Sequence, residues 1–175
     1  GTLGHAYRAF MVDNNLVEHL AAGYHARHEE LLQSGKIDRM PPALAYKVLR
    51  GFQTHDLHHV LTGYPATPLG ELAIQAFQLA QMDYPYAAMW IAVVTSHMTL
   101  VDPYLIKPGM DAITDGWALG RRARSVQFVK FEHRLGEPLD DIRAEFGLQR
   151  DLVAIADTPP KRMPELLKPS VERSD

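Results

Sequence analysis

The stretch HDLHHVLTGYPATPLGE, residues 55–71, constrains this chain more than any other. It places His55, Asp56 and His59 within one helical turn or so, then a turn rich in Gly and Pro, then Glu71. On a helix advancing about 100° per residue, His55 and His59 stand about 40° apart, and Asp56 lies about 60° from His59. Two imidazoles and a carboxylate therefore share one surface. Gly63-Tyr64-Pro65 predicts the end of that helix, and Thr67-Pro68 predicts the start of the next, with Thr as N-cap and Pro at the first position. Glu71 then falls in the first turn of the second helix, close enough in chain to fold back over the histidines. Leu57, Val60, Leu61, Leu69, Leu72 and Ala73 surround these polar groups, and a carboxylate pressed into apolar surface needs a partner. Two ring nitrogens and two hard oxygens suit a divalent metal. The plainer alternative is a chance pairing on a polar helix face, in a chain with 9 histidines.

Around this stretch the periodicity is helical throughout. Leu3, Tyr7, Phe10 and Met11 predict a short first helix that Asn14-Asn15 ends, and Leu16 to Ser34 predicts a second, stopped by Gly35. His25, His28, Glu29 and Glu30 lie on it and are read as a solvated face. Met40-Pro41-Pro42 is a connector, and Leu44, Tyr46, Val48, Leu49 and Phe52 lead into the His55 helix. Leu69 to Ala80 forms the next helix, ended by Asp83-Tyr84-Pro85. Residues 87–100 are apolar almost all round, which predicts a central buried helix with His97 as a hydrogen-bonded core histidine. Residues 101–110 read as a loop, Asp111–Arg134 as one long helix, and Pro138 to Phe146 as a last helix stopped by Gly147. No stretch alternates with period two. The fold class is all-α, a single compact multi-helix domain over residues 1–157, with a Pro-rich, extended or disordered tail over residues 158–175.

Composition narrows the function. With 175 residues, 46% of them hydrophobic, the chain can bury one good core. A net charge of −3 offers nucleic acid nothing to bind. The absence of cysteine excludes disulfides, thiolate zinc sites and a thiol nucleophile, and fits a reducing compartment. The longest apolar run, Ala87–Val94, is far short of the roughly 20 residues a spanning helix needs, so any membrane contact is expected to be peripheral.

The residues also resemble a known family. The coenzyme Q biosynthesis protein 4 family is marked by His-Asp-x-x-His, eleven residues, then Glu, and here these are His55, Asp56, His59 and Glu71 with Val60-Leu61-x-Gly63-x-Pro65 between. The likeness extends to Leu3-Gly4, Tyr7, Phe10, Leu44-Ala45-Tyr46, Gly70, Gly120-Arg121-Arg122-Ala123, Glu132 and Arg143-Ala144-Glu145-Phe146-Gly147. Residues 101–116 and Lys130-Phe131 depart from it. The resemblance implies an α-helical protein of the ubiquinone pathway that holds a divalent metal, zinc or else iron or manganese, through that motif. It implies polyprenylated ring intermediates as ligands, other ubiquinone-biosynthesis proteins as partners and a homo-oligomer. It also implies a place on the cytoplasmic face of a bacterial inner membrane, or on the matrix side of the mitochondrial inner membrane. The implied activity is removal of the ring carboxylate, with hydroxylation at the same carbon.

A metal at this motif can polarise a ring carboxylate or phenolate, although zinc supplies no electrons for the hydroxylation. Arg121 and Arg122, next to Gly120, are candidates to neutralise an anionic ring, with surface arginines as the plain alternative. Phe52, Phe77, Met89 and Trp90 are candidates for an apolar groove that holds a prenyl tail, with ordinary core as theirs. Two other functions fit the motif. A lipid-binding scaffold would use the metal only to pin two helices and would show a closed four-ligand shell. A zinc metallohydrolase would need a general base, whereas Asp56 is shorter than the Glu of His-Glu-x-x-His enzymes.

Overall fold

The computed structural model describes residues 1–17, 29–30 and 32–149. Thr2 opens α1 (Leu3–Asp13), its hydroxyl accepting from the His5 N–H at 3.3 Å. The chain's start is tied to a distant segment: Leu3 N donates to Glu137 O and Gly4 N to Leu135 O, beside a lone β-bridge between Thr2 and Pro138. Among the described residues no strand forms. Most of the expected second helix lies outside the described residues, His25 and His28 with it, while Glu29 and Glu30 are exposed. The same holds for residues 150–175, which include the expected tail.

The helix that carries the histidines, α2 (Pro42–Thr62), ends where Gly63 takes a left-handed φ of 74°. Thr67 then caps α3 (Pro68–Met82), its hydroxyl accepting from Gly70 N at 3.2 Å, with Pro68 in the first turn. Asp83 ends α3 in the left-handed region, and α4 (Pro85–Leu100) follows. After a 3-10 turn over Pro103–Leu105 comes α5 (Ile106–Arg122). The last helix is α6 (Leu139–Phe146), stopped by Gly147 at φ 67°.

The central helix is α3, not α4. Leu69, Leu72, Ala73, Ile74, Ala76 and Phe77 are all buried, and Gln75 and Gln78 are buried with them. In α4 only Ala87 and Met98 are buried, whereas Met89, Val93 and Leu100 are 57%, 62% and 83% exposed, and His97 is exposed rather than in the core. The expectation of a central helix over residues 87–100 is therefore wrong. An all-round apolar composition states which medium a helix prefers but not that its own chain supplies it. In α3 the buried Gln78 has interior partners in His55 and His58, which period and hydropathy do not display.

Small residues bring α5 against α3. A Cβ on Gly116 would lie 2.0 Å from the Ala73 carbonyl oxygen, and one on Gly120 would lie 2.8 Å from that of Phe77. The expected long helix over residues 111–134 instead starts earlier and stops at Arg122. The reason is Gln81, whose amide nitrogen donates to Gly120 O at 2.6 Å while its oxygen accepts from Val126 N at 3.0 Å. That side chain satisfies the end of α5 and the start of the next segment together, so the backbone can turn and bury Val126 and Phe131. The expected loop over residues 101–110 is accordingly a 3-10 turn followed by the first turns of α5.

Arg50 ties this segment to α2. Its guanidinium is bidentate to Glu132, through Oε1 and through Oε2 at 3.0 Å, and also donates to Val129 O at 2.8 Å. The hydrogen bond from Arg50 holds the Glu132 carboxyl at about 2. The arginine side chain is 10% exposed and the glutamate 54%, so losing the glutamate removes the carboxylate that balances a buried charge, while losing the arginine frees a carboxylate that water can reach. Glu132→Ala is expected to cost about 2 kcal/mol, a figure kept low because solvent screens the pair. Because the folded pKa is depressed, the pair's contribution is complete above the ordinary carboxylate range and is lost as pH falls toward 2. Urea melts at pH 7 and pH 3 check this; an equal gap between parent and variant at both values would contradict it.

Candidate metal centre

The α2 register turns His55 and His59 toward each other, with Nε2 atoms 3.4 Å apart. The first turn of α3 brings Glu71 back over them, as its place in the sequence predicts. Its Oε2 lies 3.1 Å from His55 Nε2 and its Oε1 lies 3.1 Å from His59 Nε2. The side chains are 26%, 1% and 32% exposed for His55, His59 and Glu71, so the cluster sits at the edge of the core with one partly open side. Among the described residues these three form the group whose donor atoms all lie within 4.8 Å of one another.

Tautomers decide what such a group can hold. His59 Nδ1 lies 3.0 Å from the carbonyl oxygen of Tyr64, which has no proton to give, so the ring donates there. In the neutral ring this leaves a lone pair on Nε2, directed at the lone pairs of Glu71 and at His55. Lone pairs facing one another repel unless a proton or a cation lies between them. Zinc–ligand distances of about 2.0–2.1 Å make the edges of a coordination tetrahedron roughly 3.3–3.4 Å. The separations of 3.1 and 3.4 Å match such edges, and the donors suit a divalent ion.

Burial acts to raise the Glu71 carboxyl, but the hydrogen bonds and charge of His55 and His59 outweigh it and hold it at about 2. Burial disfavours a charged His55, yet its hydrogen bond to Glu71, with the charges of Glu71 and Asp56, raises it overall. His58, which faces inward, is pushed down to about 3 by burial, then by the charges of His55, His59 and Arg50. It is neutral, with Nδ1 3.1 Å from the Gln78 amide, which also reaches His55 Nδ1 at 3.5 Å. An amide turned to present its oxygen accepts from both rings and leaves His55 Nε2 free for the cluster.

Asp56 does not converge with the other three. It follows His55 by about 100° of helix, and its short side chain projects beside the group, where its charge acts on His55 and Tyr7. Arg121 and Arg122 are exposed in the last turn of α5, beside Gln81 of α3. Gln81 lies about 15 Å along α3 from Glu71, so the structure does not bring the arginines to the cluster.

Sequence reasoning missed Gln78, which is two helical turns after Glu71 and so on its face of α3. It also missed Arg143, whose guanidinium donates to Leu61 O at 3.0 Å and Val60 O at 2.8 Å at the end of α2. Phe10 stacks on His59, with ring centroids 5.3 Å apart.

The four residues expected to line one groove do not do so: Phe77 is core, Met89 faces outward and Trp90 packs on the core edge. Phe52 instead joins Met40, Leu44, Val48, Tyr84 and Tyr86 around a cavity of about 410 Å³, with Ser34 and Lys36 at its rim. Leu44, Val48, Phe52, His55 and His59 recur at helical spacing on one stripe of α2, although neither histidine lines this cavity.

Comparison with known proteins matches residues 37–151 to the family described as Coenzyme Q (ubiquinone) biosynthesis protein Coq4. The ubiquinone biosynthesis protein COQ4 homolog, mitochondrial, of Danio rerio is 29% identical over 157 residues, covering 89% of this chain and 52% of that protein. The corresponding homolog of Nematostella vectensis is 27% identical over 158 residues, covering 85% of this chain and 66% of its own length. The Laccaria bicolor protein is 31% identical over 113 residues, covering 61% and 35%. The chain thus spans about half the length of the Danio rerio relative.

Proposed function

The chain belongs to the coenzyme Q (ubiquinone) biosynthesis protein Coq4 family, and from that premise we propose that it acts on a polyprenylated hydroxybenzoate-type intermediate at a metal held by His55, His59 and Glu71. The observation that carries this reading is the convergence of three lone-pair donors at tetrahedral-edge spacing. Zinc is the first choice, with iron or manganese as alternatives; a bound divalent ion would supply Lewis acidity toward a ring carboxylate or phenolate. The reaction is decarboxylation with hydroxylation at the vacated carbon: the ring carboxylate leaves as carbon dioxide, and dioxygen and water are consumed with release of hydrogen peroxide, which accounts for the two electrons removed.

The chain's own residues divide the remaining work. His59 is oriented by its bond to Tyr64, and His55 is kept beside it by Glu71 and Gln78. Asp56 adds negative charge next to His55 without joining the three. The apolar cavity along α2 suits a prenyl tail whose ring lies at the cluster. Three protein donors leave a coordination position open, the pattern of a catalytic site; a scaffold that used the ion only as a clamp would close the shell with four. Arg121 and Arg122 stay outside this proposed site.

The exposed apolar residues of α4 support a peripheral visit to the membrane that holds such a substrate, and no helix among the described residues is long and apolar enough to cross one. The relatives compared are named mitochondrial, which favours the mitochondrial of the two expected locations. The same α4 face suits a second copy of the chain or another protein of the pathway. One experiment tests the reading: liposomes that contain the prenylated hydroxybenzoate, labelled with ¹³C at the carboxylate, are mixed with metal-loaded protein. Co-flotation and release of labelled carbon dioxide are expected. No release with zinc, iron or manganese would end the catalytic claim.

A further inference from the structure

We propose that Asp115 is a positioning residue for the metal-holding cluster, acting through Tyr64 on His59 and on the return of Glu71; this rests on the metal reading above. Asp115 lies on α5 and supplies none of the three donors. Its Oδ2 accepts from the Tyr64 hydroxyl at 2.7 Å, across 51 residues of sequence, and Tyr64 is 1% exposed. The main-chain carbonyl of the same Tyr64 is the group to which His59 Nδ1 donates. One residue thus carries an anchored side chain and the acceptor that fixes a ligand's tautomer.

The backbone around it leaves little slack. Gly63 turns the chain in the left-handed region, and Pro65 confines Tyr64 to extended conformations. Pro65 O sits so close to Gly70 that a Cβ there would lie 1.9 Å away. This short connection also sets where Glu71 arrives relative to His59. Anchoring Tyr64 to α5 therefore fixes two of the three donors: the ring orientation of His59 directly, and the position of Glu71 through the loop. Groups that hold metal ligands in this way set affinity without touching the ion.

The test measures metal affinity rather than turnover, by competition with a chromophoric chelator for Zn²⁺, at a temperature where every variant is folded by circular dichroism. Tyr64→Phe keeps the ring and the carbonyl but loses the hydroxyl; Asp115→Ala loses the acceptor. Each is expected to weaken Zn²⁺ binding about ten- to a hundredfold. The double variant should be no weaker than either single one, since both remove one link. Asp115→Asn, whose amide oxygen still accepts, should stay within a few-fold of the parent. With Co²⁺ in place of Zn²⁺, the visible bands of the two weakened variants should shift as the geometry loosens, a change that simple loss of stability would not cause. Affinities of Tyr64→Phe and Asp115→Ala within twofold of the parent, or a double variant with multiplied losses, would overturn the proposal. Failure of the parent itself to take up Zn²⁺, Fe²⁺ or Mn²⁺ would overturn the metal reading, and this inference with it.

Discussion

Gly116→Ala is expected to lower the thermal midpoint by roughly 4–12 °C, a large effect for the addition of a single methyl group. The added Cβ would meet the Ala73 carbonyl oxygen at 2.0 Å and its carbon at 2.8 Å, both backbone atoms of the central helix. No rotamer change relieves such a contact, so α3 and α5 must separate along their whole interface. Overpacking of this kind costs about 1–3 kcal/mol and occasionally more. Alanine returns roughly 1 kcal/mol through its better helix propensity, which is too little to win. Because the contact is with backbone and shorter than any real Cβ contact, the clash falls at the top of that range or just beyond, about 3–4 kcal/mol. The net loss of about 2–3 kcal/mol becomes the stated shift at roughly 2–4 °C per kcal/mol in a domain of this size. Other glycines serve as graded controls. At Gly109 the nearest atom is the flexible end of Met98, at 2.7 Å, so the loss should be smaller; at Gly136 nothing lies within 4 Å and no loss is expected. Calorimetry on the three alanine variants gives the order, and a Gly116→Ala protein that melts with the parent would refute the packing argument.

Sequence showed most clearly what depends on near neighbours. The break at Gly63, the Thr67-Pro68 start and the return of Glu71 over His55 and His59 all follow from local stereochemistry, and all are present. What it could not show depends on distant partners. Arg50 looks like one more helical cation until Glu132, 82 residues on, closes around it. The end of α5 at Arg122 has no local breaker and follows from Gln81, 39 residues before the Gly120 carbonyl to which it donates. That α3 rather than α4 is the central helix has the same origin. Gln75 and Gln78 make α3 look like a surface helix, and the absence of charge in α4 makes it look like a core one. Asp56 shows the limit of helical-wheel reasoning at the site itself. Sharing a face at about 60° does not bring a short carboxylate to a point that two longer imidazoles and a returning glutamate can reach.

The second large effect is on metal content. Glu71→Ala and His59→Ala are each expected to weaken divalent-metal binding by more than about a hundredfold, beyond the range for groups that only support ligands. Glu71 presents one oxygen to each histidine, so its loss removes a donor and the charge that balances the ion. His59 is the most buried of the three, and among the described residues no fourth donor stands within reach to replace it. The fold should survive both changes. Glu71 lies in the first turn of α3, where losing its favourable interaction with the helix dipole costs about 0.3–1 kcal/mol. Glu71→Gln is the sharper probe. It keeps size and one acceptor, but its amide can donate to one imidazole and occupy the lone pair that a metal needs. Asp56→Asn should lose far less, because its carboxylate acts only by charge. The pH dependence has a definite sign. Protons compete with the metal for the imidazoles, and His55 is raised above the ordinary histidine value, so binding should already decline as pH falls through and just above the usual histidine range. Glu71, at about 2, stays ionised throughout that interval and is not the group that titrates. Elemental analysis after dialysis against Zn²⁺, at pH 7.5 and again near pH 5.5, separates these contributions. Zinc retained at one equivalent in both Glu71→Ala and His59→Ala would place the ion elsewhere in the protein.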